Sequence, residues 1–203
     1  MSEAMVLDLR LGIDSKGLDR LVAAMSGPDR AKAMFGVSEA MRRKTVSHLV
    51  SIAARRHGTA QRLGASPTNY LASAARLSYN SHTEDTATVE IPKAGLRRAF
   101  RPLTIRPKTA KALAIPLNAI SYGVRAADMR DNPGRYGFSG TFVIPNTGLI
   151  AGKKKGGNDI TVLYALAMQA MIPQDRELLP SDQEYADTAK SAYVRAIKAM
   201  RTA

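Results

Sequence analysis

Residues Arg101 to Leu117 read RPLTIRPKTAKALAIPL, and the interpretation of the whole chain starts from this stretch. Apolar residues alternate with polar or small ones on both sides of its centre, at Leu103, Ile105, Leu113, Ile115 and Leu117. An alternation of period two predicts β-strands, and Pro107 between the two runs predicts a turn. We therefore predict a β-hairpin that places Leu113, Ile115 and Leu117 in the core of a sheet.

Around its predicted turn the same stretch carries Arg106, Lys108 and Lys111, cations that the turn would project away from the sheet. It offers no nucleophile, no acid/base pair and no set of metal ligands. Its chemistry therefore favours a structural or interaction protein, with these three cations as candidate contacts to another subunit or to DNA.

Length and composition indicate an ordinary globular protein. The chain has 203 residues, of which 45% are hydrophobic and 23% charged, so we expect one domain over residues 1–203. Residues 118–140 are rich in Gly, Pro and Asn and are expected to form an exposed, mostly irregular excursion. Aromatic residues make up only 5% of the chain, which predicts a modest aliphatic core.

The absence of cysteine removes disulfides, thiol catalysis and thiolate metal sites. The N-terminus carries acidic residues where a signal peptide would have basic ones, so no signal peptide is expected. The longest apolar run, residues 162–172, is about half the roughly 20 residues of a membrane-spanning helix. No membrane partner is expected.

The chain is strongly basic, with 30 Lys and Arg against 17 Asp and Glu and a net charge of +13. Such an excess favours an anionic partner, and two basic runs on one predicted helix, Arg42–Lys44 and Arg55–Arg56, suggest nucleic acid. A scattered excess also serves solubility or complementarity in an assembly. A basic nucleic-acid-binding protein is therefore the alternative function.

Periodicity predicts helices and strands in a mixed order. Strands are expected at 5–13, 86–91, 141–144, 149–153 and 160–164, helices at 18–25, 29–57, 70–78 and 182–200, a loop at 59–66 and a polar turn at 80–85. Ser181 and Glu184 have the spacing of a capping box, which predicts the start of the last helix. The predicted class is α+β, an antiparallel (mixed) β-sheet flanked by long α-helices.

No motif in the chain indicates a catalytic, cofactor-binding or metal-binding residue. His48, His57 and His82 stand in unrelated contexts, without the spacing of ligands on one helix face. The Gly134–Gly140 loop lacks the strand–turn–helix context of a dinucleotide site, and we interpret Asp128 and Asp131 as ion-pairing or solvated groups beside neighbouring arginines. Lys153, Lys154 and Lys155, at a predicted hairpin tip, are further candidate contacts to another subunit or to DNA.

The segment Thr104–Leu117 resembles part of the phage virion-morphogenesis proteins, a family of tail-completion and head–tail joining proteins. Other pieces agree in order: an N-terminal helix, the strand Phe142–Ile144, the Gly/Lys turn Gly152–Gly157, Val162–Tyr164, and Leu179–Ser181 before an Ala-rich helix. The resemblance covers residues 55–203 at the level of patterns.

The resemblance implies a structural virion protein of a tailed bacteriophage, with the fold of tail terminators and neck proteins. It implies a homo-oligomeric ring in the neck, usually sixfold, that completes the tail and joins head to tail, as a tail terminator or a head–tail connector. Its partners would be copies of itself, the tail tube and sheath or the portal-side neck proteins, and DNA passing through the lumen. It implies no enzymatic activity and no cofactor, and assembly in the host bacterial cytoplasm.

Overall fold

The computed structural model describes residues 5–8, 25, 27–53, 58–66 and 68–201. Helices and antiparallel sheets make up its regular structure, which confirms the predicted α+β class. The chain divides into two compact units, each described by itself: unit 1 contains residues 1–55, 69–102 and 173–203, and unit 2 contains residues 56–68 and 103–172. The expectation of one domain over residues 1–203 stays a prediction.

Unit 1 combines helices with a small antiparallel sheet. Its elements are β1 (Met5–Asp8), α1 (Gly27–Ala53), α3 (Tyr70–Leu77), β2 (Tyr79–His82), β3 (Ala87–Ile91), 3₁₀ helices at Ala94–Ala99 and Arg176–Leu178, and α5 (Asp182–Arg201). The strands are ordered β1–β3–β2, with Leu7 opposite Val89 and Asn80 opposite Val89 on the other side. The predicted helix 18–25, strand residues 9–13 and the group Arg55, Arg56 and His57 lie outside the described residues, apart from Met25.

The core of unit 1 lies between α1 and α5. On α1, the predicted apolar face is buried at Met41, Thr45, Leu49 and Ile52, and it packs against the stripe of α5 that begins at Tyr185. Helical spacing of three and four residues places each set on one side of its helix. Both long helices were therefore predictable from periodicity.

The predicted polar turn at 80–85 is wrong in its first half. Tyr79–His82 forms β2, which pairs with β3 from Tyr79 opposite Glu90 to His82 opposite Ala87. The turn is shorter, and the Thr83 amide donates to the carbonyl oxygen of Thr86. A polar edge strand such as β2, three of whose four residues are exposed, lacks the apolar alternation from which strands are predicted.

Unit 2 is built mainly from strands. Its elements are α2 (Gly58–Arg62), β4 (Leu103–Ile105), β5 (Leu113–Pro116), α4 (Ala126–Asp131), a 3₁₀ helix at Pro133–Tyr136, β6 (Phe138–Ile144), β7 (Leu149–Lys154), β8 (Ile160–Ala167) and β9 (Ala170–Ile172). A four-stranded antiparallel sheet has the order β5–β8–β7–β6, and β4 pairs with β9. The predicted loop at 59–66 begins instead as the short helix α2.

The predicted hairpin at Arg101–Leu117 is wrong, although both of its strands exist. β4 pairs with β9 and β5 pairs with β8, both antiparallel, so residues 106–112 do not reverse the chain. They form a seven-residue loop opposite only Met168 and Gln169. Alternation determines which residues share a face, but it does not specify the partner strand. Here β4 and β5 both pair with strands of the long uncharged run 160–172.

The predicted orientation of β5 is also wrong. Ile115 and Leu117 are exposed, at 37% and 43%, whereas Ala114 packs against the core of unit 2. The larger apolar residues were expected to face inward, but on this strand the small one does so because bulky aromatic residues already fill the space beneath it.

The excursion at 118–140 is more ordered than expected. It contains α4 and the 3₁₀ helix Pro133–Tyr136, and it buries Ser121 and Met129 completely. Ser121 and Asn118 hold the first turn through reciprocal side-chain and backbone hydrogen bonds of 3.0 to 3.3 Å. Two short helices of this kind fall below the length at which periodicity predicts a helix.

Candidate assembly surface

One face of the four-stranded sheet covers the core of unit 2. Met129, Phe138, Leu163 and Tyr164 are buried in this core. Leu163 and Tyr164 are neighbours in sequence, and both point inward because a bulge opposite Ile150 and Ala151 adds one residue to β8. A side chain at Gly152 would place its Cβ 2.7 Å from the Phe138 ring, so close packing requires glycine there.

The opposite face of the sheet is also apolar, and we refer to it as the apolar face. Side chains alternate between the two faces along each strand, and the register pairs Ile115 with Ala165 and Phe142 with Ala151. The residues that share this face are Leu113, Ile115, Leu117, Phe142, Ile144, Leu149, Ala151, Ile160, Val162, Ala165 and Ala167. An antiparallel sheet normally turns a polar face to water.

Five large side chains of the apolar face are open to solvent. Ile115 and Val162 are 37% exposed, Phe142 42%, Leu117 43% and Ile160 60%. Their exposed parts add up to roughly 400 Å², a size at which an apolar patch on a soluble monomer is often a binding site. Residues 141–152 and 160–172 contain no charged side chain, and charge begins at the edge of the apolar face with Lys153, which pairs with Ile160.

The six cations predicted as contacts lie at two ends of this sheet and do not form one site. Arg106, Lys108 and Lys111 are exposed on the loop beside the end of β8, because Leu113 pairs with Ala167. Lys153 pairs with Ile160, at the beginning of β8, and Lys154 and Lys155 follow it, also exposed. β8 has eight residues, so its two ends are about 23 Å apart.

Arg135 is carried by a segment next to the lysines of the β7–β8 turn, a proximity that was not predicted from the sequence. The Lys155 amide donates to the carbonyl oxygen of Gly137 over 2.9 Å, which brings the 3₁₀ helix carrying Arg135 next to the turn. We expected Asp128 and Asp131 to be ion-paired or solvated, and Arg130 pairs with Asp131 at 2.9 Å. Arg135 instead lies over the Tyr136 ring, 5.9 Å from its centre.

The basic run of the long helix is engaged within unit 1. Arg42 donates to the carbonyl oxygen of Ser78 over 3.1 Å. Arg43 pairs with Glu39 at 3.3 Å, and Lys44 pairs with Glu184 at 2.6 Å. This triplet was one of the sequence features in favour of nucleic-acid binding, beside the net charge and Arg55–Arg56, and its contacts give it a structural role.

The capping box at the start of α5 is confirmed. The Ser181 amide donates to the Glu184 carboxylate over 3.0 Å, and the Glu184 amide donates to the Ser181 hydroxyl over 3.3 Å. The hydrogen bond from Lys44, followed by those from Ser181, lowers the pKa of Glu184 from 4.5 to about 2. At the next residue, burial raises the pKa of Tyr185 to about 12, and its hydroxyl meets that of Thr45 at 2.7 Å.

The two described histidines make structural contacts. His48 donates from Nε2 to the carbonyl oxygen of Glu177 over 3.0 Å, and the His82 ring meets Phe35 edge to face at 5.4 Å. Within the described ranges there is no group of three or more His, Asp or Glu side chains that could hold a metal ion. Nor does any helix in those ranges combine the length and hydropathy needed to cross a membrane.

Comparison with known proteins gives no relative: no protein-family model, no curated protein and no solved structure matches the chain.

Proposed function

We propose that the chain is a structural, non-enzymatic virion protein of a tailed bacteriophage, which assembles with copies of itself into a ring in the neck. In this role it completes the tail and joins head to tail, as a tail terminator or a head–tail connector. The observation that carries the self-assembly is the apolar face, an exposed sheet surface formed largely by two runs without charged residues, 141–152 and 160–172. The resemblance of Thr104–Leu117 to virion-morphogenesis proteins supports the phage role.

The size of the apolar face fits a contact between two copies. A stable interface buries about 800 Å² on each partner, of which roughly 55 to 65% is apolar. The exposed apolar side chains supply on the order of 400 Å², so they would form the centre of such an interface with a polar rim around them. In a ring the contact is head-to-tail, so the apolar face of each copy would pack against a different surface of the next copy, and every copy would use both surfaces.

The phage partners follow from the proposed position in the neck. A ring there would contact the tail tube and sheath on one side or the portal-side neck proteins on the other, with DNA passing through its lumen. The subunits would assemble in the host bacterial cytoplasm. The loop cations Arg106, Lys108 and Lys111, exposed beside the apolar face, are proposed as contacts to a neighbouring subunit.

A pair of neighbouring substitutions on one strand tests the self-assembly. Phe142→Lys places a charge in the apolar face, whereas Val143→Lys places the same charge one residue further along β6, on the other side of the sheet, where the native side chain is 57% exposed. We expect Phe142→Lys to reduce the assembled fraction at least tenfold, measured by light scattering over a concentration series. Val143→Lys should assemble like the natural protein.

Equal behaviour of the two variants would contradict the proposal, whether both assemble or neither does. The natural protein serves as the reference at each concentration, because the mass of an oligomer depends on concentration. Both substituted residues are exposed, so each variant is expected to keep the fold, which circular dichroism verifies.

A further inference from the structure

We propose that the basic end of unit 2, formed by Arg135, Lys153, Lys154 and Lys155, binds the phosphate backbone of double-stranded DNA without reading its sequence. The Lys155–Gly137 backbone hydrogen bond joins the two segments that carry these cations. The inference does not rest on the proposed ring, because it concerns one end of one unit.

The charges at this end are largely unpaired. Lys154 has a loose ion pair with Asp159, 3.7 Å long and exposed on both sides. Arg135, Lys153 and Lys155 have no acidic partner among the residues that the structure describes. Unpaired cations at one end of a sheet repel one another, and DNA phosphates neutralise them while the cations condensed on the DNA are released.

Several cations of unit 1 differ from those at the basic end of unit 2 in having carboxylate partners. Arg30, Arg43, Lys44 and Arg98 all have carboxylate partners within 4 Å there. Those cations stabilise contacts inside the unit, so they have less charge to offer to a polyanion. At the basic end of unit 2, by contrast, Lys154 has only a loose ion pair, so this end has charge to offer to a polyanion.

Glycines around the basic end favour DNA over an acidic protein surface. A Cβ added at Gly134, Gly137 or Gly156 would meet no atom within 4 Å. Gly137 and Gly156 have φ angles of +84° and +78°, so their turns require glycine. Gly134 requires glycine neither for its backbone conformation nor for close packing, since it lies in a 3₁₀ helix and a Cβ there would meet open space. A surface without side chains lets a phosphate backbone approach closely, whereas an acidic protein would need anchoring side chains.

Two triple variants with equal loss of charge test the proposal. The first replaces Arg135, Lys153 and Lys155 with Ala, and the matched control replaces Arg106, Lys108 and Lys111 with Ala at the other end of the sheet. All six side chains are exposed, so both variants should keep the fold. The probe is a short DNA duplex of arbitrary sequence, and its affinity is measured by fluorescence anisotropy as a function of NaCl concentration.

For the first variant we expect about a tenfold or greater loss of affinity, and a slope of log K against log salt that is smaller by about three. The control should keep the slope of the natural protein. The proposal is overturned if both variants lose affinity equally, because binding would then follow total charge, or if the first variant binds normally. Preferential binding of poly-glutamate over the duplex at equal salt would assign the surface to an acidic protein and overturn it as well.

Discussion

The Glu184 carboxylate connects the start of the last helix to the long helix of unit 1. It accepts from the Ser181 amide at the helix cap and from Lys44 on α1, 140 residues away in the chain. Ser181 and Glu184, three residues apart, could be recognised in the sequence, so the cap was predicted. The Lys44 contact was not, because a partner so distant in the chain becomes a neighbour only through the packing of α5 against α1.

Replacing Glu184 with Gln tests this pair through pH. Gln can still close the capping box, so the substitution removes mainly the charge that Lys44 meets. A carboxyl with a lower pKa in the folded than in the unfolded chain stabilises the fold above its unfolded pKa and loses that effect as pH falls through the folded pKa. The stability difference between the natural protein and Glu184→Gln should therefore shrink between pH 4.5 and about pH 2.

Urea denaturation at a series of pH values measures this difference. The control is Glu39→Gln, which removes an exposed ion pair with Arg43 on a single helix and should have a small effect. A stability difference for Glu184→Gln that stays constant from pH 7 to pH 2 would contradict the structural role of the charge.

At the scale of elements, strands were predictable and their partners were not. The hairpin of β6 and β7 was predicted because Asn146 and Gly148, at φ angles of +59° and +66°, provide the backbone conformations of a tight turn. β4 and β5 were predicted to pair with each other, but each pairs with the distant run 160–172. Local turn chemistry specifies short connections, whereas long-range pairing depends on the whole sheet.

Neighbouring substitutions on β5 test which side of the strand faces the core. Ala114 packs against the buried cluster of unit 2, and Ile115 is exposed. Ala114→Lys should lower the free energy of unfolding by about 2 kcal/mol or more, because a charge and four methylenes would enter a packed site. Ile115→Lys should cost less than about 1 kcal/mol. Chemical denaturation at one protein concentration compares the two.

If Ile115→Lys lowered the free energy of unfolding more than Ala114→Lys, Ile115 would lie in the core, as the alternation alone predicted. The apolar face would then lose one of its central residues. A larger cost for Ala114→Lys would support both the inverted orientation of β5 and the exposure of the apolar face.

At the scale of the whole molecule, self-assembly is the central claim. The sequence contained a signal for it that was not used: two uncharged runs, 141–152 and 160–172, whose residues on both sides of the sheet are apolar or small. The core of unit 2 accounts for the apolar residues on one side of the sheet only. The pairing of β5, β8, β7 and β6 assigns the other side to a single exposed face.

Assembly also bears on the two ends of that face. The loop 106–112 and the β7–β8 turn lie about 23 Å apart along β8, so the two sets of cations have separate environments. In the proposed ring, the loop contacts a neighbouring subunit and the basic end contacts DNA. The two roles can therefore be lost independently, which separates the DNA experiment from the assembly experiment.

The mass of the purified natural protein in solution, with an electron-microscope image of the same sample, tests the central claim most directly. We expect a closed oligomer several times the 21.9 kDa mass of the chain, seen end-on as a ring, with six subunits if the resemblance holds. A mass of one chain at every concentration, with no ring in the images, would contradict self-assembly through the apolar face.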